Sequence, residues 1–296
     1  MEHTTPTQTQ KPGSSRQKKA AVINDMTGFG RCALTVAIPI ISRLKIQCCP
    51  VPTAILSNHM AYPSYYFDDY TDHMESYVAE WKKLGLTFDG IETGFLGSAR
   101  QIEIVSGFIR DFSREGTTVL VDPIMGDNGR TYATYTKEMC EEMKKLAAQA
   151  GIVTPNVTES CILTDTPYHD GFWKEEELLS MARRLGEMGP SKVVITGVPG
   201  ESHIGNYCYE RTGNRESGRK EETAFIQVKR EGETRCGTGD IFAAIILADA
   251  VNGVEFKQSV SKAAEFIRDC IVESVQMEVP LTDGVCFEEI LDRLQP

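Results

Sequence analysis

Between residues 21 and 200, short runs of β-branched and apolar residues alternate with segments whose apolar positions recur at helical spacing. A chain patterned this way builds βαβ units, and these impose a largely parallel sheet with helices on both faces. Residues 21–23, 51–56, 91–96, 117–121, 152–153 and 192–196 read as strands. The run 117–121 is apolar and β-branched throughout, as a strand covered on both faces should be. Between these runs come helical patterns: residues 31–44 with Pro39 inside, the face Tyr70, Met74, Tyr77, Val78, Trp81 and Leu84, and the face Ile102, Val105, Phe108, Ile109 and Phe112. Met139, Met143 and Leu146, then residues 175–185, mark two more. Two β runs near Tyr207 and residues 225–228 follow, and helices starting at Asp240, Phe256 and Phe287 close the chain.

Sheets of this kind gather ligands at the carboxyl ends of their strands. Asn24-Asp25, Ser57-Asn58-His59, Asp122, Thr154-Pro155-Asn156 and Thr196-Gly197 all stand just after expected strands. Each alone reads as a cap or turn. Five strand ends in succession point to a shared site.

Composition narrows what that site can hold. The chain carries a net charge of −11, while residues 1–20 are basic, with Lys11, Arg16, Lys18 and Lys19 against Glu2. The body is therefore strongly acidic, which argues against nonspecific nucleic-acid binding. It leaves ATP open, because phosphates are met locally by backbone amides and a metal ion. Residues 1–20 have almost nothing apolar to bury and are expected to be a disordered polar tail, with the folded domain spanning 21–296. No apolar stretch follows the tail, so a signal peptide is not expected, and the apolar run 241–248 is too short for a membrane span. Nine scattered cysteines without a CxxC pair suit a reducing cytosol, and five histidines without paired spacing give zinc no support.

The sharpest local signal is Gly237-Thr238-Gly239-Asp240 ahead of the apolar run 241–246. Two glycines let backbone N–H groups converge, and a helix start adds its positive end, so the segment makes an anion hole. Asp240 in the first turn then stands beside a bound phosphoryl group, where a carboxylate can take the proton of an attacking hydroxyl. The bland reading is a glycine turn with an acid favoured by the helix dipole.

With that tetrapeptide the chain resembles the ribokinase-like superfamily, and the wording around it resembles the pyridoxal kinase branch. Ser57-Asn58-His59 is similar to that branch's SNH segment, and Thr93-Gly94-Phe95-Leu96-Gly97-Ser98 to its TGYLGS. Asp122-Pro123-Ile124-Met125-Gly126-Asp127 is similar to its DPVMGD, and Thr154-Pro155-Asn156-Val157-Thr158-Glu159 to its TPNxxE. The resemblance implies an α/β ribokinase-like fold with a mainly parallel central sheet, a small flap and no separate lid domain. It implies Asp240 as catalytic base and Gly237, Thr238 and Gly239 as the anion hole. It assigns Asp122, Asp127, Asn156, Glu159, Thr196 and Gly197 to ATP, with Asp122 and Glu159 near Mg²⁺. It sets Asp122 beside a monovalent-cation site such as K⁺, with Thr154 close by and Tyr132 on the flap. His59 is placed against the ring of a vitamin B6 substrate. A cytoplasmic homodimer that phosphorylates pyridoxal, pyridoxamine or pyridoxine is the expectation.

Two departures touch the substrate side. Met60 and Ala61 stand where the phrase usually has threonine and glycine, and the opening 23–30 is short, with Asp25 in place of serine. Asp25 is accordingly read either as a substrate contact or as a turn cap, and the opening partly resembles hydroxymethylpyrimidine kinases. That activity, or a noncatalytic B6-binding protein, is the rival. Cys236 reads as a small buried residue before the glycine turn rather than as a trap for the aldehyde of pyridoxal. The stretch 213–222, with Arg215, Arg219 and Lys220, reads as a solvated hairpin tip rather than a flap onto ATP.

Overall fold

The computed structural model describes residues 16–213, 218 and 220–296. In chain order the elements are β1 (Lys19–Thr27), α1 (Leu34–Arg43), β2 (Gln47–Leu56), β3 (Phe67–Asp69), α2 (Thr71–Lys83), β4 (Gly90–Thr93) and α3 (Ala99–Phe112). Then come β5 (Thr118–Val121), β6 (Gly126–Asp127), β7 (Arg130–Thr131), α4 (Lys137–Ala147), β8 (Ile152–Val153), α5 (Val157–Thr164) and α6 (Glu175–Met188). The chain ends with β9 (Lys192–Pro199), β10 (His203–Thr212), β11 (Lys220–Lys229), α7 (Thr238–Asn252) and α8 (Phe256–Gln276).

Nine strands form one sheet in the order β11-β10-β9-β8-β5-β4-β1-β2-β3. The six from β9 to β2 run parallel, and antiparallel pairings add β10 and β11 at one edge and β3 at the other. Side chains alternate across a pleated strand, and here both sides are dry. Ile23, Val121, Val153 and Val193 pack toward α2–α6, while Val22, Leu120, Ile152 and Val194 pack toward α1, α7 and α8. That is why these strands are continuous apolar runs. Residues 241–249 of α7 are all buried, as suits a helix apolar on every side. Its buried Asp249 pairs with Lys262 at 2.6 Å.

Three local features here differ from expectation. β1 begins at Lys19, so the expected tail of residues 1–20 overlaps the sheet. Arg16 pairs with Asp89 at 2.6 Å and Lys18 Nζ donates to the Val251 carbonyl at 2.8 Å. The rest of that stretch, residues 1–15, lies outside the described residues. β1 also runs past Asn24-Asp25 through a bulge to Thr27, because its partner β2 shifts register there. The expected small flap is the hairpin β6–β7, which turns on Asn128 and Gly129, both at positive φ, the pairing that a two-residue type I′ turn requires. Residues 288–293 form a 3-10 helix rather than an α-helix, since six residues scarcely repay α-helix nucleation. Arg215 lies outside the described residues, as does Arg219. The strands flanking them form the long antiparallel hairpin β10–β11.

Candidate active site

Gly237 has φ 89° and forms the N-cap of α7 without a side-chain cap, so the first amides of the helix stay uncapped. A Cβ at this position would overlap the Arg31 carbonyl oxygen, which ties the turn closely to the loop between β1 and α1. Asp240 follows as the third helical residue. It accepts hydrogen bonds from Asn24 Nδ2 at 3.2 Å and from the Ala33 amide, and burial nevertheless raises its proton affinity. A raised carboxyl held in place by these two donors and by its own amide is suited to accept a proton.

Asn24 itself is oriented from below. Its Oδ1 accepts from the amides of Asp25 and Phe95, both at 2.9 Å. Gly94 makes room for it, since any Cβ there would overlap the Asn24 amide. Sequence reasoning noted Asn24 only as a strand-end residue. Its role depends on a contact 216 positions away.

Asp122 follows β5 and accepts from Thr154 Oγ1 at 3.1 Å, while its Oδ2 faces Gly239. Burial and the nearby charge of Asp240 push its carboxyl up to about 8. Asp25 accepts from Thr27 Oγ1 at 2.5 Å and is pushed up to about 6, chiefly by burial and in part by Asp240. A fourth acid, Glu92, was not anticipated. It lies in β4 opposite Val22 and Leu120, so it faces the α7 layer, and its Oε2 is buried without a hydrogen-bond partner. Burial, then Asp122 and Asp240, hold its carboxyl well above the ordinary range. The one available signal was an acid inside a strand otherwise fit for two dry faces.

The second half of the site is built differently. Asn156 caps α5, with its Oδ1 accepting from the Glu159 amide at 2.9 Å, and Glu159 Oε2 accepts from the Asn156 amide at 2.8 Å. Glu159 Oε1 takes the Met125 amide at 3.1 Å, so both carboxylate oxygens are engaged. Glu159 is only 4% exposed, so this carboxylate sits inside the site rather than on the surface of α5. Asn156 Nδ2 reaches the Gly126 carbonyl at 2.8 Å and thereby anchors the β6–β7 flap. Asp127 is exposed on that flap and bonds Asn128. Tyr132 follows it, partly exposed, and partial desolvation with the nearby charges of Glu159, Asp127 and Asp122 holds its hydroxyl proton. Thr196 and Gly197 are not at a strand end, as expected, but inside β9. There they bulge opposite Asn206, and Thr196 donates its amide to the Pro155 carbonyl at 2.9 Å.

His59 lies beneath the C-terminal segment. Its Nε2 meets the Thr282 carbonyl at 2.6 Å and its Nδ1 accepts from the Ala61 amide at 3.2 Å, which sets the neutral Nε2–H tautomer. Both ring nitrogens are occupied, so the ring presents a surface rather than a polar contact. Tyr62, at 4.7 Å between centroids, and the exposed Phe29 extend that aromatic wall. Arg235, also unanticipated, is buried and donates to the Pro280 and Gly284 carbonyls, binding this segment to the glycine turn. Among the described residues no group of three or more His, Cys, Asp or Glu converges in a metal-holding arrangement. No helix among them is long and apolar enough to cross a membrane.

A mainly parallel sheet covered on both faces, with a glycine turn and buried carboxylates at its strand ends, defines a phosphotransferase of the ribokinase-like class. The chain belongs to the phosphomethylpyrimidine kinase family, whose model matches residues 44–282. A putative phosphomethylpyrimidine kinase from Bacteroides thetaiotaomicron, solved with pyridoxal, is 40% identical, with 94% of this chain and 96% of that one covered at a TM-score of 0.87. The pyridoxine kinase of Bacillus subtilis is 25% identical over 64% of this chain and 66% of that protein. The pyridoxine/pyridoxal/pyridoxamine kinase of Bordetella avium is 24% identical over 86% of each.

Proposed function

We propose that this chain transfers the γ-phosphoryl group of ATP to the 5′-hydroxymethyl group of pyridoxal, pyridoxamine or pyridoxine. The observation that carries the reading is Asp240, held by Asn24 and Ala33 beside the uncapped amides at the start of α7. The aromatic wall of His59, Tyr62 and Phe29 suits a planar heteroaromatic ring, and a 40% identical relative was solved with pyridoxal.

In this mechanism the ring lies against His59, and Asp240 takes the proton of the primary hydroxyl as its oxygen attacks the γ-phosphorus. The amides after Gly237 hold the charge that gathers on the transferred group. The nucleotide lies toward Asn156, Glu159 and the β6–β7 flap, with Asp127 and Tyr132 on its γ-phosphate side and Thr196-Gly197 beyond. Buried carboxylates this close, one of them with an orphaned oxygen, fit a site completed by cations. Mg²⁺ would neutralise phosphate charge. Asp122 keeps Oδ2 for a cation, Mg²⁺ or a monovalent ion such as K⁺, whereas Glu159 acts through its capping bonds and ordered water. The working form in this reading is a cytoplasmic homodimer.

The family's description favours one second reading, a hydroxymethylpyrimidine kinase, and Asp25 suits a substrate with a basic ring nitrogen or amine. Incubating the protein with Mg²⁺–ATP and each of pyridoxal, pyridoxamine, pyridoxine and hydroxymethylpyrimidine, scored by phosphorylated product, decides between them. Product from hydroxymethylpyrimidine alone overturns the B6 assignment, and product from none supports a noncatalytic binder.

A further inference from the structure

We propose that Thr158 and Tyr168 are positioning residues that seat the tip of the β6–β7 flap before ATP arrives, and so hold Asp127 and Tyr132 where the γ-phosphate is bound. The inference deepens the nucleotide placement proposed above and rests on it. The flap does not hold itself. Its strands have two residues each and share only the pairs Gly126↔Thr131 and Asp127↔Arg130. Residues 127–134 are all exposed, so burial of their side chains adds little. An isolated two-stranded hairpin is marginal in water, and this short one needs an outside surface to rest on.

That surface meets the flap at its base and at its tip. At the base, Asn156 Nδ2 donates to the Gly126 carbonyl at 2.8 Å, and the Tyr132 amide donates to the Met125 carbonyl at 2.9 Å. At the tip, the Gly129 amide donates to Thr158 Oγ1 at 2.9 Å. Thr158 is buried in the first turn of α5, one residue before Glu159. The ring carbons of Tyr168 lie against the same glycine, so closely that a Cβ on Gly129 would overlap them. Glycine is thus required at 129 twice over, for φ 74° and for the ring.

Tyr168 stands on a braced segment. After α5, Asp165 adopts the left-handed conformation and pairs with Lys144 of α4 at 2.9 Å, while Arg184 of α6 donates to the Thr164 carbonyl at 3.0 Å. Trp173 is buried, with His169 stacked on it at 3.9 Å between centroids and Tyr168 tilted against it at 5.9 Å. Asn156, Thr158 and Glu159 therefore set the flap and the nucleotide side of the site from one helix start, and Tyr168 backs the tip. One net hydrogen bond shifts such a docking equilibrium by about two- to tenfold. A site that is only partly in its competent form binds more weakly in proportion.

The test is tryptic cleavage after Arg130 in the nucleotide-free full chain, mapped by mass spectrometry, beside steady-state KM values. Cleavage of a transiently opened segment follows the population of its open form. Thr158→Val keeps the shape and removes the acceptor, so cleavage after Arg130 should quicken by about two- to tenfold. KM for ATP should rise by up to the same factor, while KM for the B6 substrate and Tm hold. Tyr168→Ala should act in the same direction through lost packing. Thr158→Ser keeps the hydroxyl and Tyr168→Phe keeps the ring, so each should bring both readouts back to the wild-type values. Unchanged cleavage in both Thr158→Val and Tyr168→Ala overturns the proposal. So does faster cleavage with KM for ATP unaltered, or an equal rise in both KM values. Cleavage after Arg130 needs no substrate, so a wild-type chain that fails to use ATP faults the reading of the site, while faster cleavage in the variants still upholds the seating of the flap.

Discussion

Two helices that start at this site, α5 and α7, carry an acid at their third residue, and the two acids do opposite things. Glu159 of α5 folds back onto its own N-cap, Asn156, and completes a capping box. Asp240 of α7 has only Gly237 before it as N-cap, at positive φ and with no side chain to offer. Its carboxylate is instead gripped from outside the helix by Asn24 and Ala33. The first helix start is satisfied internally and can only position its neighbours, such as the flap held through Gly126. The second leaves the amides of Thr238 and Gly239 without a side-chain cap and its acid raised, an arrangement suited to binding an anion and moving a proton. One residue at the N-cap separates scaffold from chemistry.

The comparison breaks most visibly at Asp240. Asp240→Asn keeps the shape and both flanking donors but cannot take the proton, so turnover should fall by on the order of 10²–10⁴ with nucleotide affinity retained. Steady-state rates beside a nucleotide titration check this, and wild-type-like turnover would remove Asp240 as the base. Asp25 should give the next largest effect. Asp25→Ser should raise KM for the B6 substrate by about ten- to hundredfold, the worth of a charge-assisted hydrogen bond, while KM for ATP stays put. With its carboxyl near 6, the difference should widen as the pH rises from 5 to 8 and wild-type Asp25 becomes charged. Equal changes in both KM values would make Asp25 a turn cap only.

The two N-caps offer a direct contrast. Gly237→Ala forces a side chain into a left-handed turn against the Arg31 carbonyl and should cost about 1–3 kcal/mol of stability as well as activity. Asn156→Ala removes a cap from a satisfied helix start and should cost about 1 kcal/mol, read by denaturant melts, with a smaller loss of turnover. A larger catalytic loss from Asn156→Ala would reverse the roles given to the two helices.

The smallest effect concerns Asp122, whose carboxyl rises from 3.8 unfolded to about 8 folded. Between those values the folded chain binds more protons than the unfolded one, so stability falls as the pH rises, and above about 8 the loss is complete. Asp122→Asn should therefore raise Tm at pH 8 by at least about 3 °C and leave it nearly unchanged at pH 4. Mg²⁺–ATP should narrow the gap, and a variant that melts lower at pH 8 would mean that Asp122 is stably paired.

The sequence by itself determined the layered α/β architecture, because apolar runs of strand length alternating with helical spacing have few other ways to bury themselves. It also determined the glycine turn ahead of α7, since Gly237, Gly239 and the apolar run behind them state a local conformation. The Asn156–Glu159 capping box is local too, and the NxxE spacing marks it. What lay beyond the sequence is long-range. Nothing near Glu92 announces that its strand register points it toward α7, nor does anything near Asn24 announce Asp240. Such contacts arise because parallel strands bring the ends of distant βα units to one edge, and the register and twist that align them come from packing both faces of the sheet together. Local patterning fixes which elements form, and only the assembled sheet decides which of their ends touch.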